Sequence, residues 1–313
     1  MSKNCQRLAY GEALVALGKE NPNIVVLDAD LSKSTMSCLF QEAFPDRFFE
    51  MGIAEQNMLS TAAGLAAGGK IPFASSFAVF ASGRAYDQIR QTIAIGMLNV
   101  NICGSSSGLS DFGDGATHQS IEDIALMSAI PGMTVLTPCD AHETRKAVRA
   151  AAKIEGPVYI RVCRNPVEDH TSEDDVFEVG KIRVLADGTD VAVFACGTMV
   201  DAAMKAKNIL SEDGVSTKVI NVGTIKPFDS VGAIREAKGM RAIVTAEEHN
   251  VIGGLASTVA LALRGSAISM EYVAVEDSFG QSARSADELM AHYGLTAENI
   301  VSKVKKCCRV GEG

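Results

Sequence analysis

The chain of 313 residues is 47% hydrophobic and 21% charged, with a formal net charge of −9. That is the make-up of a globular protein with ample core, and at about 150 residues per domain its length predicts two domains. The acidic balance excludes nucleic acid or an anionic membrane as the main partner, while leaving room for a local basic pocket.

The polar, charged N-terminus shows no signal-peptide pattern, and no apolar run reaches the roughly 20 residues of a membrane span, so a cytoplasmic location is expected. The eight cysteines (5, 38, 103, 139, 163, 196, 307 and 308) contain no C-x-x-C pair and fit neither a zinc site nor a disulfide framework. Most stand in apolar runs and read as buried thiols.

In chain order, β-branched runs predict strands over 24–27, 100–104, 134–137 and 157–162, then 190–195, 217–222, 241–246 and 271–275. Patterns of helical length lie between them, as at 140–154, 200–211 and 254–263. Apolar strands interleaved with helices predict an α/β fold of two doubly wound, mainly parallel-sheet domains. The polar, acidic stretch 167–187 predicts a linker between a first domain, 1–166, and a second, 188–313. Ser285-Ala-Asp-Glu288 carries a helix-opening capping box, and Thr296 starts another helix.

Ligands in such sheets gather at the carboxyl ends of strands, so the polar groups there are the candidates. The first strand ends in Asp28-Ala-Asp30-Leu-Ser-Lys-Ser34, which also suits a plain turn and helix cap. Gly52-Ile53-Ala-Glu55 opens a helix rich in small residues, where a carboxylate is favoured by the helix dipole in any case. Phe77 and Phe80 follow, a local concentration of rings in a chain only 5% aromatic. Gly108-Leu-Ser-Asp111-Phe-Gly-Asp114-Gly-Ala-Thr-His118-Gln119 suits either a polar ligand or a surface turn. Arg161-Val-Cys-Arg164 ends a later strand, where an arginine can grip phosphate. Glu247, Glu248 and His249 end a strand and suit either contact with the active-site interface or a solvated, internally hydrogen-bonded turn, the turn being preferred.

Taken together and in order, these motifs resemble the carboxyl-terminal half of transketolase, its pyrimidine-binding domain followed by its terminal domain. The likeness rests on Glu55 in its G-I-x-E setting, Phe77 and Phe80, Gly113–Gln119, Glu247-Glu-His-Asn250 and Phe279-Gly-Gln-Ser282. The resemblance implies thiamine diphosphate as cofactor and sugar phosphates of the pentose phosphate type as substrates. Glu55 would hydrogen-bond N1′ of the aminopyrimidine, from a poorly solvated pocket expected to raise its pKa. Ile53 would hold the cofactor bent, Phe77 and Phe80 would surround its ring, and Asp30 would lie on its thiazolium side. Asp114 and His118 would contact the sugar, with His118 also moving protons, and Arg7, Ser34 and Arg164 would hold its phosphate. Ser106 departs from the family, which often has histidine there.

The family holds the diphosphate through Mg²⁺, using a Gly-Asp-Gly motif and a later asparagine. Here Gly113-Asp114-Gly115 belongs to the substrate loop, and the next asparagine, Asn165, stands too far along the chain. The expectation is therefore a split enzyme. This chain supplies no metal ligand, and an N-terminal transketolase subunit carrying the diphosphate-binding domain holds Mg²⁺, in a dimer of heterodimers. Arg84-Ala-Tyr-Asp-Gln88 also resembles 1-deoxy-xylulose-5-phosphate synthase, and the 2-oxo acid dehydrogenase beta subunit shares the architecture. A non-catalytic regulatory partner is the remaining alternative.

Overall fold

Ile24-Val-Val-Leu-Asp28 and Val191-Ala-Val-Phe-Ala195 are buried at every position, as strands covered on both faces must be. In this computed structural model residues 3–310 are described. The outermost residues of the two expected domains, 1, 2 and 311–313, lie outside them. The strands are β1 (Lys3–Cys5), β2 (Ile24–Asp28), β3 (Phe48–Glu50), β4 (Ile71–Phe77), β5 (Asn101–Ser105), β6 (Thr134–Leu136) and β7 (Val158–Arg161). Then come β8 (Pro166–Glu168), β9 (Arg183–Ala186), β10 (Val191–Ala195), β11 (Thr217–Asn221), β12 (Thr224–Lys226), β13 (Ala242–Asn250) and β14 (Ser269–Val275).

The first sheet runs β12-β6-β7-β5-β4-β2-β3 and is parallel except for β12. The second runs β14-β13-β10-β11-β9 and is parallel except for β9. Helices Gln6–Glu20 and Ala141–Ala151 cover one face of the first sheet, burying Tyr10, Leu14 and Val148 against Ile24, Val26 and Ile160. Helix Glu55–Ala67 and its neighbours cover the other, placing Met58 and Leu59 with Leu27, Ile102 and Tyr159. The predicted fold class is the observed one.

Some expectations shift. The stretch 167–187, read as linker, contributes to β8, which pairs with β1, and forms β9, an edge of the second sheet. The segment around Pro72–Phe77, noticed for its rings, is the interior strand β4. Its Ser75 hydroxyl is satisfied at 2.7 Å by the buried Tyr10 hydroxyl. β12 comes from the second half of the chain yet pairs with β6 of the first sheet. One apolar cluster continues across the junction, joining Met127, Ile130 and Met133 to Phe194, Ile220 and Ile225.

Candidate active site

Five loops meet at the carboxyl ends of β3, β2, β4, β5 and β7, which are neighbours in the first sheet. Glu55 is the first residue of helix Glu55–Ala67, and its side chain is 1% exposed. Burial of a lone carboxylate is costly. Here it is paired, for Arg84 Nη1 lies 2.9 Å from both Oε1 and Oε2. Arg84 ends a wide π-type turn, Phe80–Arg84, and its guanidinium carbon stands 4.5 Å from the centre of the Phe80 ring.

Phe77 and Phe80 stack with centroids 6.0 Å apart and planes 15° from parallel. His118 sits edge-on to both, at 6.2 and 5.2 Å, its Nδ1 2.9 Å from Thr117 Oγ1. Arg164 extends the cluster. Its guanidinium carbon is 6.0 Å from the Phe77 centroid, and its Nη1 pairs with Asp111 Oδ2 at 2.7 Å. Phe77, Phe80, His118 and Arg164 thus form one cluster, to which the buried Glu55 is joined through Arg84.

The remaining candidates lie at its margins. Arg7 Nη1 donates to the Ser34 carbonyl at 3.1 Å, so these two are together but joined through the backbone of Ser34. Asp30 holds a left-handed φ of 61°, with its N–H given to Glu50 Oε1 at 2.8 Å. The same oxygen accepts from Gly52 N–H, tying the Asp30 turn to the Gly52–Ile53 turn. Ile53 itself is 76% exposed. Asp114 is exposed and makes no direct side-chain hydrogen bond among the described residues. Its loop instead packs on the second domain, where Ala283 N–H donates to Phe112 O and Gln119 Nε2 donates to Gln281 O. Ser106 is fully buried at φ 50°, so the departure from histidine falls in a covered backbone turn rather than on the open surface.

Beneath the surface lies a polar layer that sequence reading misassigned. Glu247, Glu248 and His249 are not a solvated turn but buried residues of β13. Glu248 accepts from Leu109 N–H and Thr198 Oγ1, both at 2.7 Å, and so joins the two domains. Glu247 accepts from the N–H groups of Leu255 and Ala256 at the start of the following helix. Burial nevertheless pushes Glu247 up to about 7 and His249 down to about 4. Arg161, expected as a possible phosphate ligand, is buried against Asp123 and donates Nη2 to the Glu248 carbonyl. Asp28, under the Asp30 turn, is raised to about 6, mainly by burial, despite bonds from Thr35, Ser37 and Leu31.

A planar, nitrogen-bearing ring fits the main cluster: stacked aromatic faces lie beside a buried carboxylate whose present partner is itself a planar nitrogen cation. A further group, Glu168, His170 and Asp201, brings three potential ligand atoms within 4.8 Å of one another. Lys205 already neutralises Asp201 there, at 2.6 Å. Glu168 and Asp201 border a cavity of about 310 Å³ between the domains, whose lining includes Ser110, Asn165 and Glu298. The spacing of these residues gave no sequence signal.

Residues 5–168 match the family described as transketolase, pyrimidine binding domain, and residues 180–300 match transketolase, C-terminal domain. A putative transketolase C-terminal section of Methanocaldococcus jannaschii is 44% identical over 95% of this chain and 94% of its own length. A 6-deoxy-6-sulfo-D-fructose transketolase subunit of Clostridium sp. (strain MSTE9) is 42% identical over 94% and 92%. A solved split gene transketolase, described as an inactive beta4 tetramer, superimposes with a TM-score of 0.89 at 47% identity, covering 98% of this chain and 99% of its own.

Proposed function

The chain belongs to the transketolase family, and from that premise we propose that it is the pyrimidine-binding subunit of a split enzyme moving a two-carbon ketol unit from a ketose phosphate to an aldose phosphate. The observation that carries the reading is the buried Glu55 beside the stacked Phe77 and Phe80 with His118 on their edges. Thiamine diphosphate, when bound, supplies the nucleophilic carbon and electron sink for cleaving a bond next to a carbonyl.

Glu55 would hold a proton at the pyrimidine ring nitrogen, in a site where burial strengthens the hydrogen bond. Phe77 and Phe80 would bind the ring face and exclude water, while Ile53 and Asp30 would shape the turn toward the rest of the cofactor. His118 would accept or donate a proton at the sugar's oxygens, helped by Asp114. Arg164 and Arg7, beside Ser34, would anchor the phosphate.

Mg²⁺ and the diphosphate would be held mainly by an N-terminal partner subunit, in a cytoplasmic dimer of heterodimers. The inactive beta4 assembly of the solved relative supports this dependence on a partner, as does the C-terminal-section description of the archaeal one. We assign residues 1–166 to the pyrimidine domain and 188–313 to the terminal domain.

The test is reconstitution with a separately expressed N-terminal, diphosphate-binding transketolase subunit. Consumption of ketose phosphate only when both chains, Mg²⁺, cofactor and an aldose phosphate are present is expected. Turnover by this chain alone would defeat the split reading. Consumption of pyruvate instead would favour a 1-deoxy-xylulose-5-phosphate synthase or 2-oxo acid dehydrogenase chemistry.

A further inference from the structure

Resting on that reading, we propose that Arg84 is a resident stand-in for the aminopyrimidine ring: it occupies Glu55 and Phe80 in the unloaded chain and swings out when the cofactor arrives. The guanidinium is planar, carries N–H donors and stacks on aromatic faces. All three properties are in use here, with Nη1 at 2.9 Å from each oxygen of Glu55 and the guanidinium carbon 4.5 Å from the Phe80 centroid. A protonated aminopyrimidine offers the same combination, a flat π-face and an N–H directed at a carboxylate. The two groups compete for one carboxylate and one ring face.

The local structure suits a movable group. The Arg84 side chain is 47% exposed while Glu55 is 1% exposed, so only the arginine has a route to water. Its backbone is fixed separately, the carbonyl accepting from Gln56 Nε2 at 3.2 Å, and a side chain placed on the preceding Gly83 would meet nothing within 4 Å. The head can therefore leave by side-chain rotation, with the turn Phe80–Arg84 unchanged. In the unloaded chain the contact neutralises a carboxylate that would otherwise be buried alone, which is strongly destabilising. The consequence for binding is a conformational cost: apparent affinity falls by the fraction of molecules with Arg84 withdrawn.

The experiment uses the full 313-residue chain with 4-amino-2,5-dimethylpyrimidine as probe, followed by calorimetry and by NMR of ¹⁵N-labelled arginine, with Arg84→Lys for assignment. Unliganded wild type should show Arg84 with restricted rotation about its guanidinium. Saturating probe should release it to the averaged signal of a solvated arginine. Arg84→Met should bind the probe about tenfold more tightly than wild type, with Arg84→Lys between them should the methionine variant fold poorly. Probe binding that leaves the Arg84 signals restricted, or variants that bind no more tightly than wild type, overturns the proposal. Glu55→Gln separates the two ideas. If it weakens probe binding while Arg84→Met fails to tighten it, only the stand-in role falls; if Glu55→Gln leaves binding unchanged, the functional reading falls with it.

Discussion

Arg161 Nε lies 3.0 Å from Asp123 Oδ2, with the two side chains only 5% and 0% exposed. Tyr159 adds its hydroxyl to the same carboxylate oxygen at 2.9 Å, and the arginine's other arm holds the Glu248 carbonyl of the second domain. Removing the acid leaves a guanidinium buried without its counter-charge. Asp123→Asn should cost about 3–5 kcal/mol in urea unfolding. The double change Asp123→Leu, Arg161→Met should recover most of that loss, since paired burial of charge contributes little net stability. A double variant as unstable as the single one would show that the pair itself stabilises the fold.

Glu55 is expected to act on protons rather than on assembly. Glu55→Gln keeps the side chain's shape and should lower kcat of the reconstituted pair by about 10²–10⁴-fold, the usual range for a missing acid–base group. Sedimentation of the pair should be unchanged. Equal turnover by variant and wild type would point instead to a non-catalytic role for this chain.

Arg164 faces the Phe77 ring and is paired with Asp111. Arg164→Met should raise KM for phosphorylated donor by about tenfold, with a smaller effect on kcat, as expected when uniform binding is lost. An unphosphorylated ketose should be nearly indifferent to the change. Equal losses on both substrates would place Arg164 in a purely structural role with Asp111.

Glu247, raised to about 7 by burial against the opposing pull of two backbone N–H groups, gives a signed pH dependence. A folded-state value above the unfolded one contributes stability that is fully present below about 4.5 and lost as pH rises through 7. His249 runs the other way, its contribution present above about 6.5 and lost as pH falls toward 4. The difference between wild type and Glu247→Gln isolates the carboxyl. Wild-type Tm should fall relative to the variant between pH 5 and 7.5, corresponding to at most about 3 kcal/mol. Parallel Tm curves for the two proteins would contradict this.

What the sequence made legible follows from locality. β2, β7 and β10 announced themselves because burial on both faces leaves largely apolar runs. Glu55, Phe77, Phe80 and His118 were legible as a set through their order along the chain, and the fold brings them together. Arg84 was visible only as part of a motif, because its meeting with Glu55 depends on a widened turn that periodicity does not encode. β4 was hidden by Ser75 and Ser76, polar residues whose place inside a sheet depends, for Ser75, on Tyr10 from a distant helix. Glu247–His249 read as solvated because their partners, Leu109, Thr198, Leu255 and Ala125, are brought in by tertiary structure.

The crossing of Thr224–Lys226 into the first sheet means that the two domains are not separable modules. A fragment ending before residue 180 would leave the backbone of Thr134–Leu136 with its hydrogen-bonding edge bare, and would uncover Met127, Ile130 and Met133. Such a fragment should aggregate or stay partly unfolded, and adding the complementary fragment during refolding should rescue it. A break between polypeptides inside this fold should therefore not be tolerated, because this chain is stitched to itself.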